Sequence, residues 1–300
     1  MSIQKAINKE AITKYMNVND YYKKILEAEE FREFYNDSSN CYEIVEAICD
    51  IAKNKEIEII SFDVFDTALL REGKPEILRF LESAEWFVGR CSEAGLAVRF
   101  EKKDVFLARI MAAKAAYSIS PNIAGNREGR LRDIARITCD LLGHPELADD
   151  YVTNELLYEA ASLIANPMLN HLEEALPDIP FIYVSDMYIE SFDIRTLLSS
   201  KFGIEKIYDV YSSADLNGSK RTGGIFSYLE GKYRTRGENI LHIGDNLWSD
   251  YKMPKKSGWN AFYLPVSEKE KRKRQECYLQ LKNQFSEMQI DIESQLAFNM

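Results

Sequence analysis

The sequence has no run of about 18 apolar residues that could span a bilayer, and its opening MSIQKAINKE lacks the apolar stretch of a signal peptide. A cytoplasmic protein without a membrane span is expected. Positive charge is not in surplus. The 38 Lys and Arg residues are outnumbered by 48 Asp and Glu, and the formal charge of -10 argues against nucleic-acid binding, because phosphate backbones are held by clustered Lys and Arg. Cysteine is sparse: Cys41, Cys49, Cys91, Cys139 and Cys277 form an odd set without a CxxC pair. That pattern indicates neither a disulfide framework nor a zinc site, and leaves them as buried thiols. Of the histidines, His144 and His171 have no ligand spacing and His242 lies inside a strand-like run, so none is assigned chemistry. No long polar tract interrupts a chain that is 46% hydrophobic and 29% charged, the composition of a folded globular protein. Three hundred residues imply two domains, or one domain carrying a large insertion.

What is present changes character along the chain. From Ile3 to Lys55 the apolar residues keep helical spacing, as in Tyr21 to Phe34 and Tyr42 to Ala52, so residues 1–56 read as a helical N-terminal extension. The segment EIEIISFDVFDTALL then brings a β-rich run, Ile57 to Phe62, directly into carboxylates, as expected of a buried parallel strand that ends at a site. Helical periodicity returns over 76–177, with breaks at Ser118 to Asn126 and Leu141 to Glu146. Strand signals follow at Pro180 to Asp186, Lys206 to Ser213, Asn239 to Asp245 and Asn260 to Val266, with helices between. Strands alternating with helices make a parallel α/β sheet, whose sites lie at the carboxyl ends of the strands. The core is therefore expected over 57–75 and 178–266, with 76–177 as a helical insertion and 267–300 as a helical tail that opens on the charge run EKEKRKRQE. That tail is either a solvated helix or one that binds a protein partner, and the extension could serve the same purpose.

Strand ends supply a constellation. Asp63 follows IISF, Ser185 ends YVS, Lys220 lies in SADLNGSKRTGGIF, and Asp245 and Asp250 come from GDNLWSD. Together they offer a nucleophile, two phosphate ligands and a carboxylate pair for a metal. In order, Asp63 with Thr67, Ser185, Lys220 and Gly244-Asp245 with Asp250 resemble the motifs of the haloacid-dehalogenase (HAD) superfamily, with the insertion where that family carries a helical cap. The resemblance implies a Rossmannoid α/β core in which Asp63 attacks phosphorus and forms an aspartyl-phosphate. It further implies a magnesium ion held by Asp63, Asp245 and the Phe65 carbonyl, with Asp250 supporting that shell. Lys220 and Ser185 would bind the transferring phosphoryl group, and Thr67 would orient the nucleophile loop.

One position departs from the pattern. Phosphatases of the superfamily place an acid/base aspartate two residues after the nucleophile, and here that residue is Phe65. Asp66 is one residue further on and by strand alternation points to the other face, yet it is the nearest substitute acid. Loss of general acid catalysis commonly costs about 10² to 10⁴ in rate. Dehalogenases also lack that aspartate, but do not normally keep GDxxxxD. The phosphonate hydrolases of the superfamily use a cap lysine, for which Lys102, Lys103 and Lys114 are the choices, each of them more often a solvated helix residue. Cap specificity is expected from Arg109, Arg127 and Arg130, which either bind an anionic substrate or form ion pairs on helix surfaces. The wording SFDVFDTALLR, YVSDMY and HIGDN also resembles HAD proteins found beside bacterial glycosyltransferases, which implies a phosphorylated sugar or glycan precursor. Three functions follow: a magnesium-dependent hydrolase or phosphotransferase for a phosphorylated small molecule, a catalytically weak binding or assembly protein, or a metal-independent 2-haloacid dehalogenase.

Overall fold

The structure, a computed structural model, describes residues 20–203 and 207–292. The expected helical start at Ile3, the Lys206 end of the third core strand and the last residues of the tail lie outside the described residues. The chain enters through three helices, α1 (Asp20–Glu27), α2 (Phe31–Asn36) and α3 (Ser38–Asn54). Asp37 starts α3 because its carboxylate accepts the Ser39 amide at 2.9 Å, satisfying a donor that the first turn leaves free. Strand β1 (Ile59–Phe62) follows, then the two-residue strand β2 (Leu69–Leu70). The helical segment comprises α4 (Glu76–Glu93), α5 (Lys102–Ile119), α6 (Leu131–Leu141) and α7 (Ala148–Ser162). It ends in β3 (Ile164–Ala165) and α8 (Met168–Ala175).

The remaining elements build the sheet. They are β4 (Phe181–Ser185), α9 (Ser191–Phe202), β5 (Asp209–Ser212), α10 (Ser213–Leu216), α11 (Gly224–Tyr233), β6 (Ile240–Gly244), α12 (Met253–Lys256), β7 (Asn260–Tyr263) and the tail helix α13 (Glu268–Glu287). Five strands form one parallel sheet in the order β5-β4-β1-β6-β7. The strands start or stop one to three residues inside the expected runs.

Both faces of the sheet are covered, which is why its strands read as nearly unbroken apolar runs. Successive residues alternate between them: Ile60, Phe62, Tyr183 and Leu241 join the large core beneath the leader and insertion, whereas Ile59, Ile182, Val184 and Ile240 pack with Phe226 and Leu229 of α11. Strand β1 is central, with β4 on one side and β6 on the other. A chain that winds first one way and then the other from a central strand opens a crevice at that strand's carboxyl end. Asp63 lies there.

The sequence gives no sign of the small ribbon in which β2 pairs antiparallel with β3, Leu69 opposite Ala165 and Leu70 opposite Ile164. Two-residue strands carry no readable periodicity. The ribbon ties the two ends of the helical segment together, helped by Asn166, whose side chain donates to the Thr67 carbonyl at 2.9 Å.

Candidate active site

Asp63 is placed by its own backbone, whose amide donates to the Ile243 carbonyl of β6 at 2.8 Å and so extends the β1 ladder one residue past the strand. The chain then turns sharply. The Leu69 amide returns to Val64 O at 2.7 Å, the Asp66 amide donates to Leu69 O at 2.8 Å, and Asp66 adopts a left-handed φ of 64°. Strand alternation therefore stops before Asp66. The Phe65 carbonyl takes no part in these turn bonds, consistent with an oxygen kept available for a cation.

Lys220 is buried among carboxylates. Its ammonium lies 2.5 Å from Asp63 Oδ1 and 2.7 Å from Asp250 Oδ1. Burial alone would lower its pKa, but Asp250, Asp63 and Asp186 outweigh that and raise it above the ordinary lysine value, so it is a fixed positive charge. Its loop is held by Asp186, whose Oδ1 accepts the Lys220 amide at 2.8 Å and whose Oδ2 accepts the Arg221 amide at 3.1 Å.

Asp250 sits in a π-helical turn, Leu247–Lys252, capped by Asn246, whose side-chain oxygen accepts the amides of Trp248 and Ser249. Its Oδ2 accepts the Asn246 amide at 2.9 Å, while Oδ1 faces His242 Nε2 at 3.2 Å, and His242 Nδ1 meets Ser61 Oγ at 2.8 Å. Burial pushes Asp250 up, but Lys220 and His242 prevail and hold its carboxyl well below the usual carboxylate range. Gly244 leaves the space that this arrangement needs, since a Cβ there would lie 2.6 Å from the Asp250 Cβ and Cγ.

Ligand oxygens of Asp63, Asp245 and Asp250 lie within 4.8 Å of one another. Burial raises Asp63 to about 7, against the pull of Lys220 and with help from Asp250. Asp245 is raised well above its ordinary value by burial first and by Asp63 next, and its carboxyl has no hydrogen bond or ion pair among the described residues. A carboxylate crowded by anions and left without a cation is a donor set that fits a hard divalent ion, which takes oxygen ligands.

Of the other expected residues, Ser185 is buried at the end of β4, next to β1, with its hydroxyl accepting the Met187 amide at 3.2 Å. Thr67 is buried too, and its hydroxyl has no partner among the described residues. The Asp66 carboxylate is turned to the tail, where Arg274 grips it with two bonds of 2.7 and 2.8 Å. Burial pushes Asp66 up, yet Arg274 with Arg71 and Arg79 prevails and holds it at about 2. In this structure the Asp66 carboxylate is committed to an ion pair with Arg274.

The cap arginines are also engaged elsewhere. Arg109 is wholly buried and paired with Glu155, its guanidinium over the Phe80 and Tyr188 rings at 4.4 and 4.7 Å. Arg127 donates to the carbonyls of Ser118 and Ser120, closing its own loop, and Arg130 donates to Ala214 O at 3.0 Å. Lys102 is an exposed residue paired with Glu85 at 3.3 Å. Sequence reasoning missed Asp186, Ser61, Arg71 and Arg274. Asp186 could have been found, because it directly follows Ser185 at a strand end. Ser61 and His242 are cross-strand partners that a register would have revealed.

A central β1 ending at Asp63, β4 ending in Ser185, the Lys220 loop after β5 and Asp245 with Asp250 after β6 lie together at the carboxyl end of the sheet. The fold is haloacid-dehalogenase-like. No protein-family model matches the sequence, and no curated protein matches it. Among solved structures the chain is similar to a 2-haloacid dehalogenase from Pseudomonas syringae pv. tomato, with 14% identity and a TM-score of 0.49 over 69% of this chain and 86% of that one. It is also similar to a HAD phosphatase from Thermococcus onnurineus, with 16% identity and a TM-score of 0.45 over 69% and 86% of the two chains. A third is a magnesium-bound HAD-hydrolase from Bacillus subtilis, with 14% identity and a TM-score of 0.44 over 69% and 88%. These HAD-like neighbours are hydrolases, and they include both phosphatases and dehalogenases. Among the described residues no helix is long and apolar enough to cross a membrane.

Proposed function

We propose that the protein is a magnesium-dependent hydrolase or phosphotransferase that uses Asp63 as nucleophile on a phosphorylated small molecule. The observation that carries this reading is the Lys220 ammonium held between Asp63 and Asp250 at 2.5 and 2.7 Å, with Asp245 beside them. Displacement of halide from carbon needs no metal, whereas a dianionic phosphoryl group is served by the cation that three clustered carboxylates would hold.

Asp63, Asp245 and the Phe65 carbonyl would hold magnesium, which when bound supplies positive charge to the phosphoryl oxygens and keeps Asp63 ionised. Asp63 attacks phosphorus in line with one carboxylate oxygen. Lys220 and the Ser185 hydroxyl bind the equatorial oxygens, where negative charge must be stabilised in the transition state. Asp250 orients Lys220, and His242 with Ser61 orients Asp250. Thr67, buried below the turn, steadies the nucleophile loop. The resemblance to HAD proteins beside glycosyltransferases supports a phosphorylated sugar or glycan precursor as substrate. The replacement of the usual acid by Phe65 supports a second reading, a binding protein with weak turnover.

The test is a panel of phosphorylated metabolites with and without magnesium, run beside Asp63→Asn. Magnesium-dependent release or transfer of phosphate should fall by at least about 10³-fold in the variant, the scale of losing a covalent nucleophile. Equal turnover by parent and variant rules out the assigned nucleophile. Binding of phosphate compounds without turnover by either would favour the weak-binding reading.

A further inference from the structure

The proton supply on the leaving-group side of the site is poor. Phe65 cannot give a proton, and Asp66 is held by Arg274. Asp186 is spent on the Lys220 and Arg221 amides, and Glu128, the cap carboxylate near that loop, is an acceptor for Ser213 Oγ at 3.1 Å and an ion-pair partner of Arg221. What lies against Phe65 is a cation. The Arg71 guanidinium stacks over the Phe65 ring, 4.1 Å from its centroid, and Arg71 Nη2 is 3.0 Å from the sulfur of Met187, two residues past Ser185. Arg71 thus bridges the loop of the nucleophile and the loop of the phosphate-binding serine.

Arg71 is also under-used as a donor. Its Nε is buried without a partner, and so is the Nε of Arg79. Both guanidiniums share the Glu159 carboxylate, at 3.4 and 3.1 Å, and the Asp66 carboxylate is their other nearby anion. Structural arginines normally satisfy their N–H groups in pairs or networks, because a buried unpaired donor is costly. Here the spare donors belong to a cluster that begins beside the reacting loop.

We propose that Arg71 is a leaving-group ligand and that the substrate is a phosphoanhydride or an acyl phosphate, whose leaving oxygen departs as a stable anion. The inference rests on the Asp63 chemistry proposed above. In the step, an Asp63 carboxylate oxygen forms a bond to phosphorus while the bond from phosphorus to the leaving oxygen breaks. The electron pair goes with that oxygen, which becomes a phosphate or carboxylate anion and needs no proton. Arg71 receives its charge with planar, paired N–H donors, the geometry that suits both oxyanions. Water then adds to phosphorus and the Asp63–phosphorus bond breaks, regenerating the carboxylate and releasing phosphate and one proton to solvent. A simple alkyl monoester would instead have to expel a strongly basic alkoxide with no acid to protonate it, a deficit of about 10² to 10⁴ in rate.

The test uses the full chain with magnesium and four probes: acetyl phosphate, inorganic pyrophosphate, phenyl phosphate and glycerol phosphate. At least one of the first two should exceed glycerol phosphate in kcat/KM by about 100-fold or more, and which one does so separates the carboxylate from the phosphate leaving group. Intrinsic reactivity also favours acetyl phosphate, so Arg71 must account for part of the ratio. In Arg71→Met the advantage should shrink by about tenfold or more, and in Arg71→Lys, which keeps charge without the fork, by less. Should Arg71→Met not fold, Arg71→Lys and the parent's own ranking still decide the matter. Asp63-dependent turnover of glycerol phosphate at a rate equal to the anhydrides, or a ratio unchanged in the Arg71 variants, overturns the inference and leaves the nucleophile standing. No turnover of any probe by the parent overturns both.

Discussion

Gly244 shows how narrowly one residue can be specified. The Asp250 side chain fills the volume that any Cβ at position 244 would take, with atoms 2.6 Å from it, and Asp250 in turn fixes Lys220 at 2.7 Å. Gly244→Ala should therefore push Asp250, whose Oδ2 would lie 2.7 Å from the new Cβ, off Lys220. Calorimetric magnesium affinity and phosphoryl turnover are both expected to fall by tenfold or more, while the circular dichroism of the fold persists. An alanine variant that binds magnesium and turns over as the parent does would falsify this coupling. At this scale the carboxylates were legible, because apolar strands that end abruptly in Asp announce a site. The partner of Asp66 was not. Its φ of 64° breaks the alternation from which its direction would be read, and Arg274 lies 208 positions away.

At the scale of elements, the charge run that opens α13 looks like a solvated face, and most of it is. Lys269 and Lys273 make exposed pairs with Glu29 and Glu30 of the leader. Arg274 differs, because it reaches inward to Asp66, with Glu270 supporting its Nε at 3.2 Å. Further along, Phe285 packs on Phe106 of α5, with ring centroids 4.9 Å apart. The tail is thus fastened both to the nucleophile turn and to the inserted helices, which helical periodicity alone could not tell, since periodicity gives a helix without its docking partner. Removal of residues 268–300 should therefore impair turnover. The single change Arg274→Met should lower stability by about 3 kcal/mol by removing the direct ion-pair partner of the buried Asp66 charge. Combining it with Asp66→Asn should recover much of that loss, so a double-mutant cycle on thermal or urea unfolding gives a coupling of at least about 1 kcal/mol if the pair is as described, and additive effects if it is not.

The molecule as a whole closes over its own site. Buried Asn126, on the loop between α5 and α6, accepts from Ser219 and Thr222 on either side of Lys220, and Asn217 answers by donating to Pro121 O at 2.7 Å. Arg132 binds Asp193 of α9 at 2.7 Å, a second fastening of the same kind. Asn126→Ala should loosen the Lys220 loop, seen as faster amide exchange across residues 217–224 and a kcat/KM lowered by about tenfold, with little change in the melting temperature. Unchanged exchange there would mean that Asp186 alone holds the loop. The parallel α/β sheet was readable from alternating strand and helix signals, but these crossings between loops were not, because Gly, Asn and Ser in a loop have no periodicity from which to infer a partner.

The ribbon of β2 and β3 brings the departing and returning ends of the helical segment within one hydrogen-bonded pair. A segment whose two ends already touch can be exchanged or excised with a short splice, because closing the gap costs little chain entropy. The ribbon is thus a socket: helices exchanged between Leu70 and Ile164 would leave Asp63, Ser185, Lys220 and Asp245, all outside the splice, in place.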